Sequence, residues 1–396
     1  MRERKLAWIG AGVLLLLIFL FGASVQSAPE KPVKIGAIFD LTGTLAPLGE
    51  DSKRGAQLAL EQAGYRVAGR PIEFVFEDGA SDPTTTLDKT RKLVETDKVA
   101  ITFGPVHSGC GEAIAPYLDR VKVPNLSISH HSDNMPLKRQ WMWLTCGILR
   151  QGVYGGGLYA AEGANLKTVT TIASDYVAGR DFTAGFLQGF QEKGGKVVQQ
   201  QWFPQGTKDY TPFIVALKPA DFVGVFTTGA ECLGFFRQYS ELGGKMPLFA
   251  LTADPLSPSI AKQLGNLTKG MIARGNWFPT DDTPGNKEFV QAYQNKWGDV
   301  PGEKSAGAYA ATQIILKAIA DARGDTSSEA LRKALLGGTF DTVQGQITFT
   351  PDRVAVYTYP IAKVDANLVP KVVAHYTVRA DKVGDKMEVK LVKRSF

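Results

Sequence analysis

Short apolar runs recur along the chain, each bounded by Gly, Pro, Asn or Asp and followed by a stretch with helical spacing. VKIGAIF (33–39), IEFVFED (72–78), VAITF (99–103) and VPNLSIS (123–129) read as strands buried on both faces. Between them SKRGAQLALEQAGY (52–65) and TTTLDKTRKLVETDK (84–98) place apolar residues three and four apart, which predicts helices. A second series repeats the order. TVTTIAS (168–174), KVVQQQWF (196–203), ADFVGVFTTG (220–229) and MPLFALTAD (246–254) are predicted strands with their following loops. FTAGFLQGFQEK (182–193), FIVALK (213–218) and ECLGFFRQYSELGG (231–244) are predicted helices. Alternating strands and helices joined by short loops predict parallel sheets with helices on both faces. The repetition, changing over near Thr145 to Gln151, predicts two such lobes facing across a cleft. Three further helices follow, over 286–298, 305–322 and 327–338. FDTVQGQITFTPDR (340–353) then reads as a hairpin turning at Gly345, and the tail from Val354 to Phe396 as antiparallel strands.

One unit concentrates polar residues at strand ends. Val99 to Asn134 reads strand, Gly104-Pro105 turn, helix, strand. Ligands of such units lie beyond the carboxyl ends of the strands. His107-Ser108 and Ser129, His130, His131 and Ser132 all fall there. Ser108 is expected as the helix N-cap, where free backbone N–H groups attract an anion. The pattern predicts a carboxylate-binding corner without catalytic machinery.

Composition changes this picture little. The apolar share of 44% and charged share of 21% over 396 residues are ordinary for globular lobes. Of the formal charge of +6, Arg2, Arg4 and Lys5 against Glu3 supply +2, and no dense basic run argues for nucleic acid. MRERK, the apolar run after it and the small residues of SVQSA predict a signal peptide over 1–28, and hence export. The competing reading of that segment is an uncleaved anchor. Cys110, Cys146 and Cys232 are odd in number, so at least one stays unpaired within the chain, and a Cys110–Cys146 bridge is open.

The order and spacing of VKIGAIFDLTGTLAPLGEDSKRGAQLALE, FEDGASDPTTT, GPVHSG, KVPNLSIS, ASDYVAGRD, FFRQYSELGG and FDTVQGQITFTPDR carry a resemblance. From residue 33 onward the chain resembles the branched-chain amino acid (Leu/Ile/Val-binding) family of periplasmic solute-binding proteins of ABC transporters. The resemblance implies a type I periplasmic binding fold: two doubly wound α/β lobes joined by a three-crossing hinge that closes on ligand. The expected N-terminal lobe takes 33–147 with 277–355, and the C-terminal lobe 148–276 with 356–396. It implies a membrane permease and ATPase as partners, a monomer, a periplasmic location, no cofactor and no catalysis. Residue by residue, Ser108 matches the serine that holds the ligand carboxylate, with His107 beside it. Ser129 to Ser132 fall where a further backbone and hydroxyl contact is made. Leu48 falls where amino acid binders often have a Tyr, and Leu149 where an Asp holds the ligand ammonium. Tyr176, Thr228, Gly229 and Asp254 fall on the facing lobe. A Leu at 149 cannot pair with an ammonium, and an unpaired charge in a closed cleft costs on the order of several kcal/mol. A carboxylate with an aromatic or apolar body and no amine is therefore expected. The alternatives are a branched-chain or other apolar amino acid, with Asp254 as the counter-anion, and a ligand-sensing protein of the same fold.

Two sharper chemistries fit less well. His107, His130 and His131 near Cys110 match no zinc spacing, so no metal is expected. Ser108 with a nearby His lacks the G-x-S-x-G elbow of a hydrolase. Tyr309 sits in an apolar helical stripe with Ile314 and Ile315 and is expected in the core.

Overall fold

The computed structural model describes residues 31–396, so the segment expected as a signal peptide lies outside the described residues. The chain opens with β1 (Val33–Phe39), α1 (Ala46–Gln62), β2 (Arg66–Val67), β3 (Arg70–Asp78) and α2 (Pro83–Arg91). It continues through β4 (Ile101–Phe103), α3 (Ser108–Val121), β5 (Asn125–Ser127), α4 (Asn134–Lys138) and β6 (Met142–Leu144). These strands form one sheet in the order β2-β3-β1-β4-β5-β6, parallel except where β2 meets β3. Ile35, Ala37 and Phe39 on one face of β1 and Ile38 on the other are wholly buried, as a central strand covered on both faces must be.

The second series runs α5 (Leu149–Leu158), β7 (Thr168–Ser174), α6 (Val177–Glu192), β8 (Lys196–Phe203) and α7 (Thr211–Val215). It continues with β9 (Phe222–Phe226), α8 (Ala230–Glu241), β10 (Leu248–Ala250), α9 (Pro258–Leu264) and β11 (Ile272–Arg274). Three helices follow: α10 (Asn286–Trp297), α11 (Glu303–Asp321) and α12 (Ser328–Gly337). The chain finishes with β12 (Phe340–Thr342), β13 (Gly345–Phe349), β14 (Ala355–Val364), β15 (Pro370–Val383) and β16 (Lys386–Ser395). The second sheet has ten strands in the path β12-β13-β14-β11-β10-β9-β7-β8, with β15 added to β14 and β16 to β15. It is parallel from β8 to β11 and antiparallel from β14 onward.

After β11 the helices α10 and α11 pack back against α1 of the first lobe. A methyl group on Gly55 of α1 would come within 2.0 Å of the Ser305 carbonyl oxygen of α11. Asp51 of α1 accepts the Ser305 N–H at 3.0 Å and the Tyr293 hydroxyl of α10 at 3.1 Å. The passages between the two lobes lie after β6, after β11 and between β13 and β14, the last inside the β13–β14 part of the second sheet, and β14 ties them together. The Tyr359 hydroxyl donates to the Cys146 carbonyl of the first passage at 2.7 Å. The Tyr357 hydroxyl donates to the Asn276 carbonyl of the second at 2.8 Å. In the third, Arg353 is buried and donates to the carbonyls of Pro136 at 3.0 Å and Arg139 at 2.8 Å. The Leu144 N–H donates in turn to the Arg353 carbonyl at 2.9 Å.

Some elements differ from the sequence-based expectation. VPNLSIS yields only three residues of strand, because the chain turns after Ser127 to present its polar loop. FIVALK gives only the short α7, which stops ahead of Pro219. The helix α5 carries the run Gly155-Gly156-Gly157, a poor helix sequence by propensity. It exists because α6 packs against it at glycine distance: a methyl on Gly157 would sit 1.9 Å from the Phe186 carbonyl oxygen. Tyr309, Ile314 and Ile315 are buried as expected. All three cysteines are buried free thiols, so the Cys110–Cys146 bridge is not formed, and burial pushes the Cys110 thiol up to about 11.

Candidate binding cleft

The corner begins where β4 ends. Gly104 has φ +91, and a methyl there would lie 2.0 Å from the Ile38 carbonyl oxygen, so only glycine makes this turn. Beyond it the loop is pinned by Asp40 at the end of β1, which accepts the N–H groups of Val106 at 2.9 Å and His107 at 3.1 Å. Asp40 is wholly buried, and that burial raises its carboxyl despite these bonds. The expected cap is corrected here. His107 keeps an extended backbone and its Nδ1 accepts from the Cys110 N–H at 3.3 Å, so His107 is the N-cap and Ser108 the first helical residue. An imidazole already satisfies the donor that the serine was expected to take. The Ser108 hydroxyl is left 2.8 Å from that of Ser129, which follows β5. The N–H groups of Ser108 and Gly109, in the first turn, have no acceptor within the helix.

The loop after β5 divides its residues. His131 is 1% exposed, its Nε2 lies 2.6 Å from the Ser127 hydroxyl, and its carbonyl accepts the Leu149 N–H at 2.9 Å. Ser132 reaches Glu112 at 3.3 Å. Burial opposes ionisation of Glu112, but His131 and Ser132 outweigh it and hold the carboxyl below its usual range. His131 and Ser132 thus brace the loop, while Ser129 reaches Ser108 and His130 reaches the other sheet. The His130 Nε2 lies 3.0 Å from a terminal nitrogen of Arg274, at the end of β11 in the other sheet. Burial, with the Arg274 charge, holds the His130 imidazole well below its usual range, so it is neutral and accepts from the guanidinium. Phe182 and Tyr359 enclose the Arg274 side chain at 5.6 and 4.9 Å.

The remaining candidate residues lie at the ends of the second sheet's strands. Tyr176 follows β7, packs at 5.9 Å on Phe226, and burial pushes its phenol up to about 12. Thr228 and Gly229 follow β9, and the Gly229 N–H donates to Asp254 at 3.3 Å. Burial raises the Asp254 carboxyl, with Lys304 of α11 opposing. Leu48 is half-buried against the main core. Leu149, 4% exposed, begins α5 with its side chain in that same core. Among the described residues the histidines of the corner form no metal-ligand cluster. Asp281, Asp282 and His375 have ligand atoms within 4.8 Å of one another, but there His375 simply pairs with Asp281 at 3.0 Å, which raises its imidazole.

Two α/β lobes joined by three passages, with polar groups at their strand ends, make up the architecture. The family described as periplasmic binding protein matches residues 32–368. The chain belongs to that periplasmic binding protein family. Among the relatives of this periplasmic binding protein is the Leu/Ile/Val-binding protein homolog 6 of Brucella melitensis, 25% identical over 89% of this chain and 93% of the relative. The ABC transporter substrate-binding protein of Sphaerobacter thermophilus has 26% identity, a TM-score of 0.80, and coverage of 92% of this chain and 98% of that one. A solute-binding protein of an ABC transporter from Rhodopseudomonas palustris HaA2, solved with p-hydroxybenzoic acid, shares the fold at a TM-score of 0.79. Its identity is 23%, over 88% of this chain and 97% of that one.

The periplasmic binding protein also carries cleft residues that the sequence reading missed. Asn276, just past Arg274, gives its N–H and its side-chain amide to Glu303, each at 2.9 Å, and Glu303 lies 3.5 Å from Lys304. In the sequence Arg274 ends an unremarkable IAR strand, and Glu303-Lys304 open a helix like any charged first turn. Their signal is spatial only.

Proposed function

We propose that this protein is the extracytoplasmic solute-binding component of an ABC importer, capturing a small organic carboxylate, with aromatic or apolar acids favoured, by closure of its lobes. It is exported through the segment 1–28, acts as a monomer, and delivers its ligand to a membrane permease driven by an ATPase. One observation carries the reading: the Ser108 and Ser129 hydroxyls lie 2.8 Å apart beside the start of α3, a helix whose first-turn N–H groups have no acceptor within it. Short hydroxyls and backbone donors suit a carboxylate. Binding without chemistry agrees with the partners of Ser108, which is hydrogen-bonded to a serine rather than to a general base. Ser127, His131 and Glu112 do line up, but Ser127 is wholly buried and His131 stands 3.7 Å from Glu112.

A second reading has one observation in its favour. Asp254 brings a carboxylate to the opposite wall, where it could receive the ammonium of a branched-chain or other apolar amino acid. Thermal-shift titration separates the two. Benzoates, phenylpropanoid acids, aliphatic acids, amides, leucine and phenylalanine are compared; a ligand at a hundred times its Kd adds about 2.7 kcal/mol. Amine-free acids are expected to raise the melting temperature with concentration. Stabilisation by leucine or phenylalanine, with the amine-free acids inert, overturns the first reading in favour of the second.

A further inference from the structure

A connected run of polar groups leads away from the serine corner, and holding one carboxylate there does not use it. Ser129 is followed by His130, His130 meets Arg274 at 3.0 Å, and Arg274 donates to the side-chain oxygen of Asn276. Asn276 binds Glu303 through two donors at 2.9 Å, and Glu303 faces Lys304 at 3.5 Å. The run therefore contains two cations and one carboxylate, and that carboxylate is already engaged by Asn276 and Lys304. Arg274 is 2% exposed, and among the described residues no carboxylate stands within ion-pair distance of it. Its Nε is buried without any partner. A buried guanidinium in that condition is costly unless an anion completes it. The Lys304 side chain is 20% exposed, and among the described residues its one ion pair, with the adjacent Glu303 at 3.5 Å, is loose. Because Arg274 donates to Nε2 of His130, the neutral ring carries its proton on Nδ1, a further donor. Asp254 is the remaining acid nearby; burial raises its carboxyl, with Lys304 and Arg274 opposing.

We propose that Arg274, Lys304 and His130 form a second carboxylate subsite, so that the preferred ligand is a dicarboxylic acid with one carboxylate on the serine corner and the other here. The inference rests on the carboxylate reading of that corner and deepens it. Calorimetric titration of the full protein with benzoate and the three benzenedicarboxylates tests it, in the parent and in Lys304→Met. The parent should bind at least one diacid about ten- to a hundredfold more tightly than benzoate, the worth of one charge-assisted contact. Lys304→Met should erase most of that preference, lowering diacid affinity far more than benzoate affinity. Lys304→Gln serves as a second variant, with the unliganded melting temperature checked for both. Benzoate bound as tightly as every diacid, or a preference that survives both substitutions, overturns the subsite and leaves the single-carboxylate reading standing. If none of the four acids binds, the subsite is overturned as well, and leucine titrated in parallel shows whether the amine-free reading falls with it.

Discussion

His107 takes the cap of α3 and thereby separates two roles expected of one residue. Because the Cys110 N–H is satisfied by the imidazole, Ser108→Ala removes no cap. It should weaken binding of a carboxylate ligand about ten- to hundredfold, the value of a charge-assisted hydrogen bond of roughly 1.5–3 kcal/mol. The unliganded melting temperature should hardly move. Titration and thermal unfolding of the same variant check both halves; unchanged affinity would reduce Ser108 to a spectator beside Ser129. Leu149→Asp, by contrast, would place a carboxylate in the core, so it is no clean probe of amine selectivity. At this scale the serine corner was legible in the sequence, since GPVHSG and LSISHHS stand at strand ends where such folds bind ligands. Arg274 was not: 144 residues separate it from His130, and nothing local marks an arginine as buried.

Glycines decide how closely the helices approach. Gly157 of α5 and Gly189 of α6 each face a carbonyl of the partner helix, and added methyls would lie 1.9 Å from Phe186 O and 2.3 Å from Tyr154 O. Gly157→Ala must therefore push the pair apart, at a cost of roughly 1–3 kcal/mol, the usual penalty for overpacking. Denaturant unfolding should show a lower midpoint with an unchanged slope, whereas a neutral substitution would mean that the two helices slide freely. The strands and the amphipathic helices α1, α8 and α10 were readable from spacing, because one face of each must be apolar. A helix such as α5, nearly all of it buried, has no polar face to produce a period, and its glycines imitate a loop.

For the whole molecule we take the moving bodies to be 33–147 with 277–355 and 148–276 with 356–396. Small-angle scattering should record a smaller radius of gyration at saturating ligand, and an identical profile with and without ligand would count against closure. The two-lobe organisation was visible as a repeat of strand and helix order, but the way the passages are joined was not. Tyr359 holds the first passage, Tyr357 the second, and β14 itself is the continuation of the third. Three cords knotted to one rod cannot slide past one another. Such ties are expected to oppose shear and independent twisting more than bending. A ligand arriving in such a cleft then has fewer directions to select among. The orientational entropy surrendered on closure is correspondingly small, and more of the contact energy is kept as affinity.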